Sequence, residues 1–152
     1  MTPNDSTQTS CMIQKLSQKW KQSQARVKRI LEESYLSMYE KADPLDKLIY
    51  AAAFQSKNPS TEQIVMQIKP LIEESITKSI RLTPRELTQA WIVIRFIAEK
   101  YTKTPMDVRN EMQRSIDDAW RNSAGKAAQM YMFPKGKPSA EEFLIRCAKQ
   151  LR

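Results

Sequence analysis

Residues 94–120 read IRFIAEKYTKTPMDVRNEMQRSIDDAW, and residues 13–39 read IQKLSQKWKQSQARVKRILEESYLSMY. In the first stretch quoted, Ile94, Ile97, Ala98 and Tyr101 recur at the i, i+3, i+4, i+7 spacing of one helix face. Thr104-Pro105 then supplies a cap and a first-turn proline, and Val108, Met112, Ile116, Ala119 and Trp120 mark a second stripe. The spacing predicts a helix, a tight turn and a second helix, the layout of a helix-turn-helix. An offset of 81 positions carries Val27 onto Val108 and also aligns Ile13 with Ile94, Lys19 with Lys100, Trp20 with Tyr101, Ser34 with Ser115 and Tyr39 with Trp120. Four of the 27 aligned positions are identical.

The likeness continues beyond the paired helices. Asn58-Pro59-Ser60-Thr61-Glu62-Gln63 echoes Lys137-Pro138-Ser139-Ala140-Glu141-Glu142 at an offset of 79, so a two-residue change in the intervening connection reconciles the two registers. The chain therefore divides into a polar start at 1–11 expected to be disordered, a first half at 12–82 and a second at 83–152. Both Ser60 and Ser139 open capping boxes, as Thr83-Pro84-Arg85-Glu86 does with a proline inserted; Asp43-Pro44-Leu45-Asp46 is a similar start. These signals predict helices near 12–21, 24–41, 44–56, 61–79, 84–102, 105–122, 126–132 and 140–151. Within 84–102, Leu87, Ala90, Trp91, Ile94, Ile97, Ala98 and Tyr101 are the expected core positions. Only two glycines occur in 152 residues. Hairpin turns and phosphate-binding loops both call on glycine, so the fold class expected is all-α, a multi-helix domain with one or two helix-turn-helix units.

Composition narrows the function classes. The chain has no histidine, which removes the commonest general base and metal ligand. Cys11 and Cys147 lie far apart and form no metal spacing; each is expected to be a free thiol in a reducing compartment. The paired carboxylates Glu32-Glu33, Glu73-Glu74 and Glu141-Glu142 are adjacent on helices and do not face one another. No catalytic residue, metal ligand, cofactor or small-molecule substrate is expected, and the chain is not expected to be an enzyme. The apolar run Ala90 to Ile94 is cut by Arg95 and is too short for a membrane span. No secretory h-region opens the chain, so a cytoplasmic location is expected.

The formal charge is +8, a balance that favours nucleic acid or an acidic protein partner. The excess is uneven: residues 13–39 carry six Lys/Arg against two Asp/Glu, residues 94–120 carry five of each, and residues 121–152 carry seven against two.

Residues 94–152 resemble the C-terminal DNA-binding domain of stage-zero sporulation protein A, the response regulator that starts endospore formation. The shared positions are Ile97, Ala98, Tyr101, Thr104, Val108, Ile116, Ala119 and Trp120, then Lys135, Lys137, Pro138, Ser139, Glu142, Phe143, Leu151 and Arg152. The resemblance covers 59 of 152 residues and extends in weaker form to residues 13–72. In that family the second helix of the motif lies in the major groove, and an S-R-V-E-R segment supplies base and phosphate contacts. Here the corresponding positions hold Met106, Asp107, Arg109, Asn110, Gln113 and Arg114 around Val108. Asp107 replaces an arginine and repels phosphate, so the family's sequence preference is not carried over. The first copy is closer, since Ala25-Arg26-Val27-Lys28-Arg29 keeps both arginines. The receiver domain that usually precedes the motif is absent from the sequence.

The resemblance implies a DNA-binding, transcription-regulator-like protein that binds double-stranded DNA, with a link to sporulation. Its reading residues are expected to be Gln22, Gln24, Arg26, Lys28 and Arg29 on the first unit and Arg109, Asn110, Gln113 and Arg114 on the second, with Arg26, Lys28, Arg29, Arg109 and Arg114 exposed. The alternative is a degenerate paralogue that has lost DNA binding and pairs with a protein of the sporulation or transcription machinery; Asp107, Asp117 and Asp118 favour it for the second half. The bland reading of the Arg26–Arg29 cluster is a solvated face of an amphipathic helix.

Overall fold

A computed structural model describes residues 3–150, all of whose regular structure is helical: α1 (Pro3–Trp20), α2 (Gln24–Lys41), α3 (Pro44–Ala53), α4 (Thr61–Ile76), α5 (Pro84–Lys100), α6 (Pro105–Trp120), α7 (Ser123–Met132) and α8 (Ala140–Gln150). The protein is all-α. Among the described residues, no helix is long and apolar enough to cross a membrane. Leu151 and Arg152, which contribute to the sporulation-regulator pattern, and Met1 and Thr2 of the polar start lie outside the described residues.

The starts of the helices follow their caps. Ser23, Asp43, Ser60, Thr83, Thr104 and Asn122 each accept a backbone N–H from the first turn of the helix that follows. Ser60 with Gln63 and Thr83 with Glu86 close full capping boxes. So do Ser139 and Glu142, whose carboxylate takes the Ser139 N–H at 2.7 Å while the Ser139 hydroxyl takes the Glu142 N–H at 3.1 Å. Such a cap is worth about 1 kcal/mol. Some ends differ from expectation. Helix α1 begins at Pro3, so described residues of the polar start expected to be disordered form its first turns, and Thr9 and Met12 are buried. Helix α3 stops at Ala53 because Gln55 enters the left-handed region (φ 63°). Helix α7 starts earlier than expected, at Ser123, because Asn122 caps it.

The turns between α1 and α2 and between α5 and α6 share their backbone conformation and one long hydrogen bond. Lys21 and Thr102, 81 positions apart, are both left-handed, with φ of 55° and 54°. In each turn the next N–H reaches back five residues, Gln22 to the Ser17 carbonyl at 3.1 Å and Lys103 to the Ala98 carbonyl at 2.9 Å. That is the long bond of a Schellman-type helix end. Ser23 and Thr104 then cap α2 and α6, and Val27 and Val108 are buried. Farther on the register becomes 79: α7 starts and ends that far after α3, and Lys126 lies 5.6 Å over the Trp120 ring as Lys47 lies 5.5 Å over Tyr39. The two-residue loss falls at the end of α6, which stops at Trp120 where the α2 register would reach residue 122.

Within the first half α1 packs on α2 and α4, and α2 on α3 and α4; within the second, α5 packs on α6 and α8, and α6 on α7 and α8. The halves share one core. Helix α5 also packs on α2, α3 and α4, and one cluster of buried apolar residues runs from Met12 to Val108. Trp91 is its largest wholly buried side chain; its ring stacks on Trp20 at 6.1 Å and its N–H donates to the Ser75 hydroxyl at 3.2 Å. Phe96 meets Tyr50 at 4.5 Å. Tyr101, an expected core position, is exposed because the chain leaves the helix there: it is the C-cap of α5.

Candidate nucleic-acid interface

Helix α2 presents its apolar stripe, Val27, Ile30, Leu31, Ser34 and Tyr35, to the core. The remaining positions of its first two turns face out. Arg26, Lys28 and Arg29 are exposed, as expected, and so are Gln22 and Gln24 and, on α1 and the turn, Lys15, Lys19 and Lys21. Among the described residues, none of these six cations makes an ion pair; Lys19 donates to the Lys78 carbonyl at 3.2 Å. The two acids of the same segment are engaged with other helices. Glu32 accepts the Thr61 hydroxyl on α4, and Glu33 meets Arg85 of α5 at 3.7 Å. The local positive charge is therefore uncompensated on the outer side of the first unit.

The second unit is built differently. Arg109, expected to be exposed, is only 4% exposed. Its Nε donates to Glu141 Oε1 at 2.8 Å, and its guanidinium lies 3.9 Å from Glu74. Glu141 is completely buried, and the same oxygen lies 3.5 Å from the Ser75 hydroxyl. A buried carboxylate requires a paired cation, and Arg109 supplies it. Glu74, bridged to Lys78 as well, is held below its ordinary carboxylate range, first by the Lys78 hydrogen bond against partial burial, then by the charges of Lys78 and Arg109.

Gln113 is likewise occupied. Its carbonyl oxygen accepts the Ala140 N–H at 2.8 Å at the start of α8, and its amide donates to Asp117 at 3.2 Å and to the Pro138 carbonyl at 3.4 Å. Asp117 takes Lys137 at 2.8 Å, and that hydrogen bond is the main cause of its lowered pKa. Arg95 pairs with Glu99 and Lys103 with Glu111. Of the four residues expected to read DNA from this unit, Asn110 and Arg114 are exposed, while Arg109 and Gln113 hold α6 to α8. The signal for Arg109 was in the sequence: it shares the i, i+3, i+7 stripe of Met112 and Ile116.

The basic C-terminal segment is neutralised in part: three of its six described cations are paired, and Lys126 lies over the Trp120 ring. Arg121 pairs with Asp118, Lys137 with Asp117 and Lys149 with Glu86, whereas Lys135 and Arg146 are exposed with no acid partner among the described residues. No protein-family model matches the chain, and no curated protein or solved structure matches it either.

Proposed function

We propose that this protein binds double-stranded DNA through its first helix–turn–helix unit, with the N-terminal turns of α2 in the major groove. In this reading it is a binding protein of the transcription-regulator kind, related to the sporulation regulator's effector domain, and works in the cytoplasm without catalytic chemistry. The observation that carries it is the uncompensated charge: among the described residues, Lys15, Lys19, Lys21, Arg26, Lys28 and Arg29 are exposed without ion pairs, while Glu32 and Glu33 are drawn to α4 and α5. Gln22, Gln24, Arg26 and Arg29 cluster at the start of α2, where a reading helix addresses base edges. Lys15, Lys19 and Lys28 suit phosphates. The second unit contributes Asn110 and Arg114 at most.

An electrophoretic shift on promoter-length duplexes at two salt concentrations tests this. Affinity falls steeply with salt, because phosphate contacts release counterions. Replacing Arg26 and Arg29 by alanine weakens binding by about 1–3 kcal/mol for each arginine that reads a base edge, and Arg114→Ala costs less. Equal losses from both units would overturn the asymmetry, and no shift at low salt would overturn the reading.

One observation favours the protein-binding alternative. Leu45 and Leu48, three residues apart on α3, are 68% and 67% exposed, an apolar pair suited to a partner in the sporulation or transcription machinery. Co-purification with such a partner, lost in Leu45→Ser and Leu48→Ser variants that still fold, combined with failure to shift DNA, would select that reading.

A further inference from the structure

A cleft of about 290 Å³ opens in the second half, between the start of α5, the loop after α7 and the outer side of α8. Leu82, Met132, Phe133 and Ile145 give it an apolar lining, and Lys135 and Arg146 stand among its polar lining residues. Its two acids are already engaged. Glu142 accepts the backbone N–H of Arg81 at 2.7 Å, the Arg81 side chain at 3.0 Å and the Ser139 N–H at 2.7 Å. Glu86 accepts Lys149 and the Thr83 N–H. Arg81 and Lys149 are thereby neutralised, which leaves Lys135 and Arg146 exposed and unpaired among the described residues.

The first half contrasts with this. Phe54, the counterpart of Phe133 at the end of the preceding helix, is completely buried, with Tyr35 at 5.0 Å. Phe133 is only half-buried; its ring stacks on Phe143 at 6.1 Å and also lines the cleft. The cleft is thus open in the half whose rim carries free cations.

An apolar lining with a few convergent polar groups is the general form of a small-ligand site. We propose that this cleft binds a small organic acid, an aromatic or short aliphatic body carrying one carboxylate or sulfonate, with the body on Phe133 and Ile145 and the anion between Lys135 and Arg146. An uncharged molecule would gain nothing from the two exposed cations, and a cationic one would be repelled by them. None of the lining residues belongs to α1 or α2, so the inference does not rest on the DNA reading.

The test is a fluorescence titration of the full chain with anilinonaphthalene sulfonate and with its uncharged analogue phenylnaphthylamine. The expected result is saturable one-to-one binding of the sulfonate, displaced by naphthoate, with the uncharged dye weaker by about tenfold, the difference a charge-assisted hydrogen bond makes. The exposed double substitution Lys135→Ala and Arg146→Ala should bring sulfonate affinity down to that of the uncharged dye, with the helical circular dichroism unchanged. Amide shift changes on naphthoate addition should centre on Phe133 and Ile145. Absence of saturable sulfonate binding, equal affinity for the two dyes, undiminished affinity in the double variant, or shift changes centred elsewhere would each overturn the proposal.

Discussion

Arg109 shows how one residue's environment decides between two roles. By spacing it is both a basic position of a reading helix and a member of the stripe with Met112 and Ile116, and the structure turns it inward to Glu141. Charge counting treats every cation as solvated and cannot separate these roles; only the partner, 32 positions away, settles it. Arg26 and Arg29 flank the buried stripe of α2, are exposed, and meet no acid among the described residues. Removing Arg109 strands a wholly buried carboxylate. Arg109→Met is expected to destabilise the fold by about 3–5 kcal/mol, and Arg109→Met with Glu141→Leu to recover most of the loss. Urea denaturation of the two variants checks this. A double variant as unstable as the single one would mean that the pair does more than neutralise itself.

At the scale of elements, helix starts were legible because capping is local: the serine, threonine or aspartate and the residue three positions on lie in one stretch of sequence. Helix ends were less legible. The C-termini of α1 and α5 are made by left-handed Lys21 and Thr102, residues with no intrinsic preference for that conformation, and are imposed by the packing of the turn. The α6–α7 junction adds a steric demand. Helix α6 is two residues short relative to α2, and a Cβ on Gly125 would lie 2.2 Å from the Ala119 carbonyl oxygen. A glycine-to-alanine change in a helix normally stabilises by about 0.5–1 kcal/mol. Here the sign reverses: Gly125→Ala is expected to lower the melting temperature, and a rise would show that the junction can relax. The start of α8 carries a pH signature. Burial pushes the Glu142 carboxyl up, but hydrogen bonds from Arg81 and Ser139 more than offset this and hold it below its ordinary 4.5. A lowered folded-state pKa means that its stabilisation is fully present above that ordinary value and is lost as pH falls through the lowered one. The stability gap between the wild type and Glu142→Gln should therefore be constant near neutrality and close on acidification below about pH 4.5, as measured by denaturant midpoints. A gap independent of pH would assign the effect to the cap geometry alone.

At the scale of the whole molecule, the division at residues 82–83 marks where one four-helix pattern passes to the next, although both patterns contribute to one core. Helix α5 sits on α2, α3 and α4, and among the described residues no extensive packing of α1 on α6 answers it. The halves are thus related head to tail rather than by a two-fold axis, and such interfaces propagate unless the terminal faces differ. They do differ. Tyr50, which receives Phe96, has Gln129 as its counterpart, whose amide is turned to the Ile116 carbonyl at 3.2 Å, and Phe96 has Lys15 as its counterpart. Composition revealed none of this, because a repeat is legible in sequence only where the copies stay alike and the ends of the array are where they diverge. The consequence is testable. Residues 83–152 expressed alone would uncover Phe96 and Trp91, deprive them of Tyr50 and Ser75 as partners, and remove Glu74 from Arg109. That fragment is expected to keep helical circular dichroism but lose a cooperative thermal transition, and to regain it when mixed with residues 1–82. A sharp melt of 83–152 alone, near that of the full chain, would establish two autonomous domains and contradict the single shared core.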